Sequence, residues 1–150
     1  MRMVVQRVRR TALTADGIPA DTMGQGLMAF VGIREEDGPA DLAYMAEKLV
    51  HLRVFKDEQG KMNRSVEDIG GELYLVSNFT LYGDSRHGRR PSYTGSAAAE
   101  SARGIFQDFV ECVRAHTQVP VHTGVFQANM QIDTCLDGPV TLLLDSEKLF

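Results

Sequence analysis

The 150-residue chain lacks several features that would assign it at once to a common class of protein. It has no tryptophan and only two cysteines, Cys112 and Cys135, which are far apart and form no Cys-x-x-Cys motif. Their apolar surroundings predict buried, reduced thiols rather than a disulfide or a metal site. No apolar run is long enough to span a bilayer, and the first residues do not resemble a signal peptide. These absences predict a cytoplasmic protein that does not act at a membrane.

An excess of positive charge is also missing. The chain has 16 lysine and arginine residues and 20 aspartate and glutamate residues, which gives a formal net charge of -4. This balance argues against a protein that mainly coats nucleic acid, but it allows a local basic patch. With 43% apolar residues, the chain is long enough for one buried core and too short for two, so residues 1–150 are predicted to form a single domain.

The usual catalytic motifs are absent as well. The sequence contains no Gly-x-Ser-x-Gly, no His-Glu-x-x-His, no phosphate-binding P-loop and no dinucleotide-binding glycine pattern. His116 and His122 do not have the spacing of zinc ligands. We therefore expect no metal and no cofactor. If the chain is an enzyme, it should act through substrate positioning and backbone hydrogen bonds.

Apolar periodicity predicts an α+β fold. Helical spacing predicts one helix that begins at Pro39 and a second over residues 96–115. Asp16-Gly17 is typical of a tight hairpin turn. Apolar or alternating runs predict strands at residues 1–8, 27–33, 72–77, 119–122, 125–136 and 140–144. Together these elements predict a mixed, largely antiparallel, barrel-like sheet with two main helices.

Gly138-Pro139 lies between two strand-like runs, where a proline is unusual. Glycine permits positive φ, and the X-Pro bond is the one peptide bond at which the cis form is cheap. The pair is therefore either an ordinary tight turn or a rigid unit whose carbonyls point together at a ligand. Arg7, in the first strand, either faces solvent or is paired, because an unpaired buried charge is costly.

Residues 77–84 alternate polar Ser, Asn and Thr with Phe, Leu and Tyr directly after a buried strand, a common position for a functional site. A dense basic loop follows at residues 85–93. It is either a solvated charge run or a set of phosphate contacts with aromatic neighbours, which would suit a single-stranded nucleic-acid end. The side chains concerned are Tyr82, Arg86, His87, Arg89, Arg90 and Tyr93.

The motifs Ser-Asn-Phe-Thr-Leu-Tyr at residues 77–82 and Asp-Gly-Pro-Val-Thr at residues 137–141 closely resemble the two signature motifs of the D-aminoacyl-tRNA deacylases. The likeness covers nearly the whole chain, including residues 1–8, 60–65, 88–91 and 123–126. It implies a homodimer that hydrolyses the ester between a D-amino acid, or glycine, and the terminal adenosine of tRNA. The implied partners are D-aminoacyl-tRNA and glycyl-tRNA, including glycine mischarged on tRNA-Ala.

The resemblance also implies roles for individual residues. Gly138-Pro139 would be a cis unit that enters the active site of the other subunit, holds the substrate amino group and excludes an L side chain. Hydrolysis would use the 2'-hydroxyl of the adenosine rather than a side-chain base. The implied residues are Asn78, Phe79 and Thr80 for catalysis, Arg7, Phe126, Ala128, Met130, Gly138 and Pro139 for substrate binding, and Arg86, Arg89 and Arg90 for tRNA binding.

Three positions depart from the family pattern. Asn78 replaces a usual glutamine, Gln127 replaces a glycine, and Leu136 replaces an asparagine. These changes concern catalytic rate and substrate range more than the fold. They favour an alternative reading, a non-catalytic paralogue that binds aminoacyl-tRNA or an RNA end. A third reading is a hydrolase of small D-amino-acid esters or amides with Thr80 as the nucleophile.

Overall fold

The computed structural model describes residues 1–149, which form a curved mixed sheet with two long helices on one face. The helices are α1 (Pro39–Val50) and α2 (Ala99–His116), and a short 3₁₀ helix spans Phe79–Tyr82. The strands are β1 (Arg2–Ala15), β2 (Ile18–Met23), β3 (Gly26–Gly32), β4 (Phe55–Lys56), β5 (Met62–Arg64), β6 (Glu72–Ser77), β7 (Val121–Thr123) and β8 (Met130–Asp145). The predicted α+β class with two helices and a mixed, barrel-like sheet is confirmed.

Strand β1 connects most of the sheet. The first half of one edge pairs antiparallel with β3, and the second half of that edge pairs antiparallel with β2. Its other edge pairs antiparallel with β8 along nearly its whole length. β6 and β7 then extend the sheet beyond β3 in parallel. A contact between β7 and β2, described below, brings the two ends together and nearly closes the sheet into a barrel.

The alternation of side chains along the strands produces two cores. Leu27, Leu73 and Leu75 point to the face covered by α1 and α2. Met28 and Tyr74, their neighbours in sequence, point to the opposite face and pack inside the curve of the sheet. Both sets are almost fully buried, as expected for central strands covered on both sides.

The hairpin turn at Asp16-Gly17 is confirmed, since both residues have positive φ, 49° and 80°, and β1 and β2 pair on either side of it. The first strand is longer than predicted and continues to Ala15. Of the two cysteines, Cys112 is half-buried and Cys135 is exposed, so the expectation of two buried thiols is wrong for Cys135. Both thiols are free.

Gly138-Pro139 does not form a tight turn between two strands. β8 runs without a break from Met130 to Asp145, and residues 125–129 lie in the loop before it. The pair is part of a bulge in the β1–β8 ladder, where Arg7 alone lies opposite residues 137–140. We call this segment the 137–140 bulge.

His122 of β7 joins three strands at the seam of the barrel. Its Nδ1 atom lies 2.8 Å from an Asp21 carboxylate oxygen on β2, and its Nε2 atom lies 2.6 Å from a Glu72 oxygen on β6. Its ring stacks on Tyr74 at 5.7 Å. Burial disfavours the charged imidazole, but the hydrogen bonds to the two carboxylates outweigh it and raise the pKa of His122. The His122 hydrogen bond is also the main cause that lowers the pKa of Asp21.

We expect His122→Gln to remove a pH-dependent part of the stability. A raised pKa in the folded state means that the stabilisation is fully present below the unfolded value of about 6.5 and is lost as pH rises through the folded value. The variant should therefore be less stable than the parent by roughly 1 kcal/mol at pH 5.5, with a smaller difference at pH 8.5. Thermal unfolding at the two pH values measures this. His87→Gln, in the exposed basic loop, is the control, and an equal loss at both pH values would contradict the prediction.

Candidate functional site

A cavity of about 630 Å³ opens at the carboxyl ends of β3 and β6. These two strands are parallel and adjacent, an arrangement in which binding sites commonly form beyond the strand ends. The start of α2 and the loop before β8 supply the opposite walls. Most of the lining is apolar, and the polar contributions include the side chains of Ser77, Asn78, Ser96 and Gln127.

Asn78 fixes the turn at the end of β6. Its backbone N–H donates to the carbonyl of Val31 at 2.7 Å. Its side-chain oxygen caps the 3₁₀ helix by accepting hydrogen bonds from the backbone N–H of Thr80, at 3.2 Å, and from the Thr80 hydroxyl. Gly32 permits the close approach, because a Cβ atom there would lie 2.9 Å from the Cβ atom of Leu81. The turn is therefore held on the end of β3.

Thr80 has no basic partner in these contacts. Its hydroxyl donates to the amide oxygen of Asn78, and an amide oxygen cannot accept a proton to activate a nucleophile. Asn78 and Phe79 line the cavity, whereas Thr80 is exposed beside it. These contacts contain no base that would activate Thr80 as a nucleophile.

The Gly138-Pro139 pair lies away from this cavity. Both residues are exposed, neither lines the cavity, and the peptide bond between them is cis. Within one chain, the structure therefore does not bring the pair together with Asn78 and Phe79. Leu136, one of the three departures from the family pattern, is also exposed and outside the cavity.

Arg7 is buried and paired, with only 6% of its surface exposed, so the alternative in which it faces solvent is wrong. Its Nε atom lies 3.2 Å from the carbonyl oxygen of Asp137 and 3.1 Å from the Asp137 carboxylate. A second guanidinium nitrogen donates to the carbonyl of Val54. Arg7 thus connects the backbone of the 137–140 bulge to the segment that follows α1.

Three further residues predicted to bind substrate, Phe126, Ala128 and Met130, do line the cavity. Gln127, between the first two, lines it as well and has a positive φ of 65°. The sequence had identified this position as one where a glycine is usual. The left-handed backbone explains that preference, because residues other than glycine rarely adopt it.

The basic loop carries its three arginines, Arg86, Arg89 and Arg90, on the surface. Arg86 binds both carboxylate oxygens of Asp84, at 2.9 and 2.7 Å, and these hydrogen bonds lower the pKa of Asp84 to about 2. Asp84 also pairs through its backbone with Ser92 across the base of the loop. Among residues 1–149, no ion pair involves Arg89 or Arg90, so their charges face solvent.

The two tyrosines beside the loop differ. Tyr82, predicted as an aromatic neighbour of the loop in nucleic-acid binding, is buried, with the guanidinium carbons of Arg2 and Arg34 at 4.7 and 5.9 Å from its ring centre. Its ring is therefore not available to stack on a base. Tyr93 is exposed, lines the cavity and meets the exposed Phe79 ring edge-on at 5.1 Å. The sequence had identified Tyr93 only as a neighbour of the basic loop.

Sequence reasoning missed the contribution of α2 to the site. Ala99 and Ala102, at its start, line the cavity, and Arg103 contacts the loop before β8 from the same helix. The small size and the helical spacing of the two alanines indicated only that the helix packs on the rest of the chain. Over residues 1–149 there is no cluster of three His, Cys, Asp or Glu side chains suited to holding a metal. Neither helix of this part of the chain is long and apolar enough to cross a membrane.

Comparison with known proteins gives consistent matches over the full chain. The model of a family described as D-Tyr-tRNA(Tyr) deacylase matches residues 4–145. A D-aminoacyl-tRNA deacylase of Chlorobaculum parvum is 51% identical over 99% of this chain and 99% of its own. One of Carboxydothermus hydrogenoformans is 50% identical over 97% of this chain and 99% of its own.

Solved structures agree on the fold. A structure described as c-Myc DNA unwinding element binding protein has a TM-score of 0.91 and 37% identity over 97% of this chain and 98% of its own. A structure described as a probable eukaryotic D-amino acid tRNA deacylase has a TM-score of 0.78 over 95% of this chain and 97% of its own. Its identity is only 16%, so this second likeness concerns the fold alone.

We expect Arg7→Ala to destabilise the chain by roughly 3 kcal/mol, because it leaves the Asp137 carboxylate and the Val54 carbonyl without their buried donor. Arg9→Ala is a matched control. Arg9 also approaches Asp137, at 3.4 Å, but its side chain is 72% exposed, so its removal should cost less than about 0.5 kcal/mol. Urea unfolding of both variants measures the difference. Similar losses in the two variants would show that Arg7 does not hold the bulge.

Proposed function

The chain belongs to the D-Tyr-tRNA(Tyr) deacylase family, and on that premise we propose how its cavity performs the reaction. The chain is a D-aminoacyl-tRNA deacylase, a hydrolase that cleaves the ester bond between an amino acid and tRNA. The observation that carries the proposed mechanism is the capped turn at Asn78, Phe79 and Thr80, whose first two residues line a largely apolar cavity and which contains no side-chain base.

In the proposed reaction, water adds to the ester carbonyl, the bond to the 3'-oxygen of the terminal adenosine breaks, and that oxygen leaves with a proton. The Thr80 N–H is already bonded to the Asn78 side chain. The N–H of Phe79, the first residue of the 3₁₀ helix, belongs to the first turn, where backbone donors have no intrahelical acceptor. We assign to it the polarisation of the carbonyl, a role that a positioned backbone donor performs well.

Proton transfer is assigned to the 2'-hydroxyl of the adenosine. The Thr80 hydroxyl is committed to an amide oxygen, and no ionisable side chain is part of the turn. A substrate group placed beside the ester supplies this function without a base from the protein. The third reading, with Thr80 as a nucleophile, has no comparable support.

Selection against L-amino acids is assigned to Gly138-Pro139 of a second copy of the chain. The pair is exposed, lies outside the cavity of its own chain and follows Asp137, which is bound by the buried Arg7. β8 pairs only with β1 among the described strands, and Leu136 and Leu143 on it are exposed. A strand edge of this kind is normally covered in a folded assembly. These features support a homodimer in which each pair enters the other cavity.

A filter of this kind accepts glycine as well as D-amino acids. Carbonyls that hold the substrate amino group leave space for hydrogen or a D side chain and exclude an L side chain by contact. We therefore propose that glycyl-tRNA, including glycine mischarged on tRNA-Ala, is also a substrate. Since charged tRNA is made and used in the cytoplasm, the proposed activity belongs there.

The nucleic-acid contacts are assigned to the basic loop and the aromatic pair. Arg89 and Arg90 are exposed without ion-pair partners in residues 1–149, and Arg86 is partly neutralised by Asp84. Phe79 and Tyr93 offer exposed rings at the mouth of the cavity, where a base at the tRNA end could stack. The phosphates of the tRNA would contact the arginines of the loop while the aminoacyl ester enters the cavity.

The decisive experiment compares D-tyrosyl-tRNA, L-tyrosyl-tRNA and glycyl-tRNA with spontaneous hydrolysis. We expect rapid release of D-tyrosine and glycine, and no acceleration for L-tyrosine. Thr80→Ala should retain turnover, because its hydroxyl is not the nucleophile; complete loss in a folded variant would favour the threonine hydrolase. Binding of charged tRNA without any release would favour the non-catalytic paralogue.

We expect the double variant Arg89→Ala/Arg90→Ala to weaken tRNA binding and to reduce the slope of log affinity against log salt by about 2. Arg86→Ala should have a smaller effect, since Asp84 already offsets its charge. Filter binding or fluorescence anisotropy over a salt series measures both. A salt slope that is unchanged in the double variant would remove the loop from the tRNA contact surface.

A further inference from the structure

We propose that Arg103 is a positioning residue that fixes the Phe126-Gln127 wall of the cavity, although Arg103 does not line the cavity itself. The inference rests on the proposed function, because it concerns how this cavity receives its substrate. It comes from contacts that join α2 to the loop before β8. No pattern in the sequence links these two segments.

Gln127 requires something to hold it in place. Its φ of 65° lies in the left-handed region, which L-residues other than Asn and Asp rarely adopt. A residue in this conformation persists when its surroundings determine it. Its backbone neighbours contribute one hydrogen bond, from the N–H of Ala128 to the carbonyl of Val125 at 3.2 Å.

Arg103 supplies a side-chain constraint on Gln127 itself. One guanidinium nitrogen donates to the side-chain oxygen of Gln127 at 2.7 Å. The guanidinium carbon lies 4.7 Å from the ring centre of Phe126, close enough for a cation–π contact. The ring of the buried Phe106, also on α2, lies 6.2 Å from the ring of Phe126. A single arginine of α2 therefore orients two consecutive residues of the cavity wall.

This arrangement predicts an effect on substrate binding and not on the chemical step. The turn at Asn78 and Phe79 lies on the β3 and β6 side of the cavity, and none of its contacts involves Arg103. Loss of Arg103 should free the Gln127 side chain and allow the 125–128 loop to sample other conformations. The substrate would then bind to a less ordered wall, which raises KM while kcat is retained.

The test is a double-mutant cycle between Arg103 and Gln127, measured on D-tyrosyl-tRNA. We expect Arg103→Ala to raise KM by roughly fivefold with kcat changed less than about twofold, and Arg103→Lys to recover part of the loss. In the Gln127→Gly background, where the acceptor is gone and the backbone needs no support, only the contact of Arg103 with Phe126 remains. Arg103→Ala should therefore raise KM less in this background than in the parent, by about twofold or less. A KM that is the same in Arg103→Ala and the parent overturns the proposal, as does an equal rise in both backgrounds.

Amide hydrogen exchange gives a readout that does not depend on activity. We expect faster exchange of the 125–128 amides in Arg103→Ala than in the parent, with the exchange of β8 unchanged. Unchanged exchange of this loop would overturn the proposal even in an active enzyme. If the parent releases no amino acid, the proposed function fails, and the exchange measurement still decides whether Arg103 orders the wall.

Discussion

The β1 ladder is the constraint on which the rest of the structure depends. One strand of fourteen residues pairs with β3 and β2 along one edge and with β8 along the other. Its alternating side chains enter both cores, with Met3 and Val5 under the helices and Val8 and Leu13 inside the barrel. Because the ladder sets the register of β3, it also sets the position of β6 and hence of the turn at Asn78. A change in the position of β1 would therefore also shift β3 and β6, and with them the cavity.

The proposed mechanism relies on backbone placement more than on reactive side chains. Asn78 uses its amide to cap the 3₁₀ helix, and Gly32 allows that helix to lie against β3. Rigid elements hold each part, which is the condition under which positioning can lower a barrier. At Asn78, where the resemblance to the family implies a longer glutamine, the side-chain oxygen accepts its two hydrogen bonds from Thr80 within the turn. Its side chain works locally, inside the turn, and does not need to reach across the cavity.

Most of the elements that depend on neighbouring residues could be predicted from the sequence, whereas features that depend on distant residues could not. The strand Glu72–Ser77 and the turn at Asp16-Gly17 follow from patterns within a few residues, and both are confirmed. The continuity of β8 through Gly138-Pro139 depends on pairing with β1, more than a hundred residues away in the chain. Tyr82 is likewise buried beside Arg2 and Arg34, which are distant in the sequence. The residues next to Tyr82 in the chain therefore do not indicate its burial. For the site, resemblance located the cavity residues 126, 128 and 130, but the contribution of α2 required the structure.

The separation of Gly138-Pro139 from the cavity of its own chain has a consequence for the cell. If selectivity is completed only when two chains meet, the concentration of competent sites follows the square of the free chain at low abundance and becomes proportional to it only above the dissociation constant of the pair. Below that dissociation constant, a fall in expression would remove discrimination against D-amino acids more than proportionally. Accuracy of translation would be tied to gene dosage through the law of mass action.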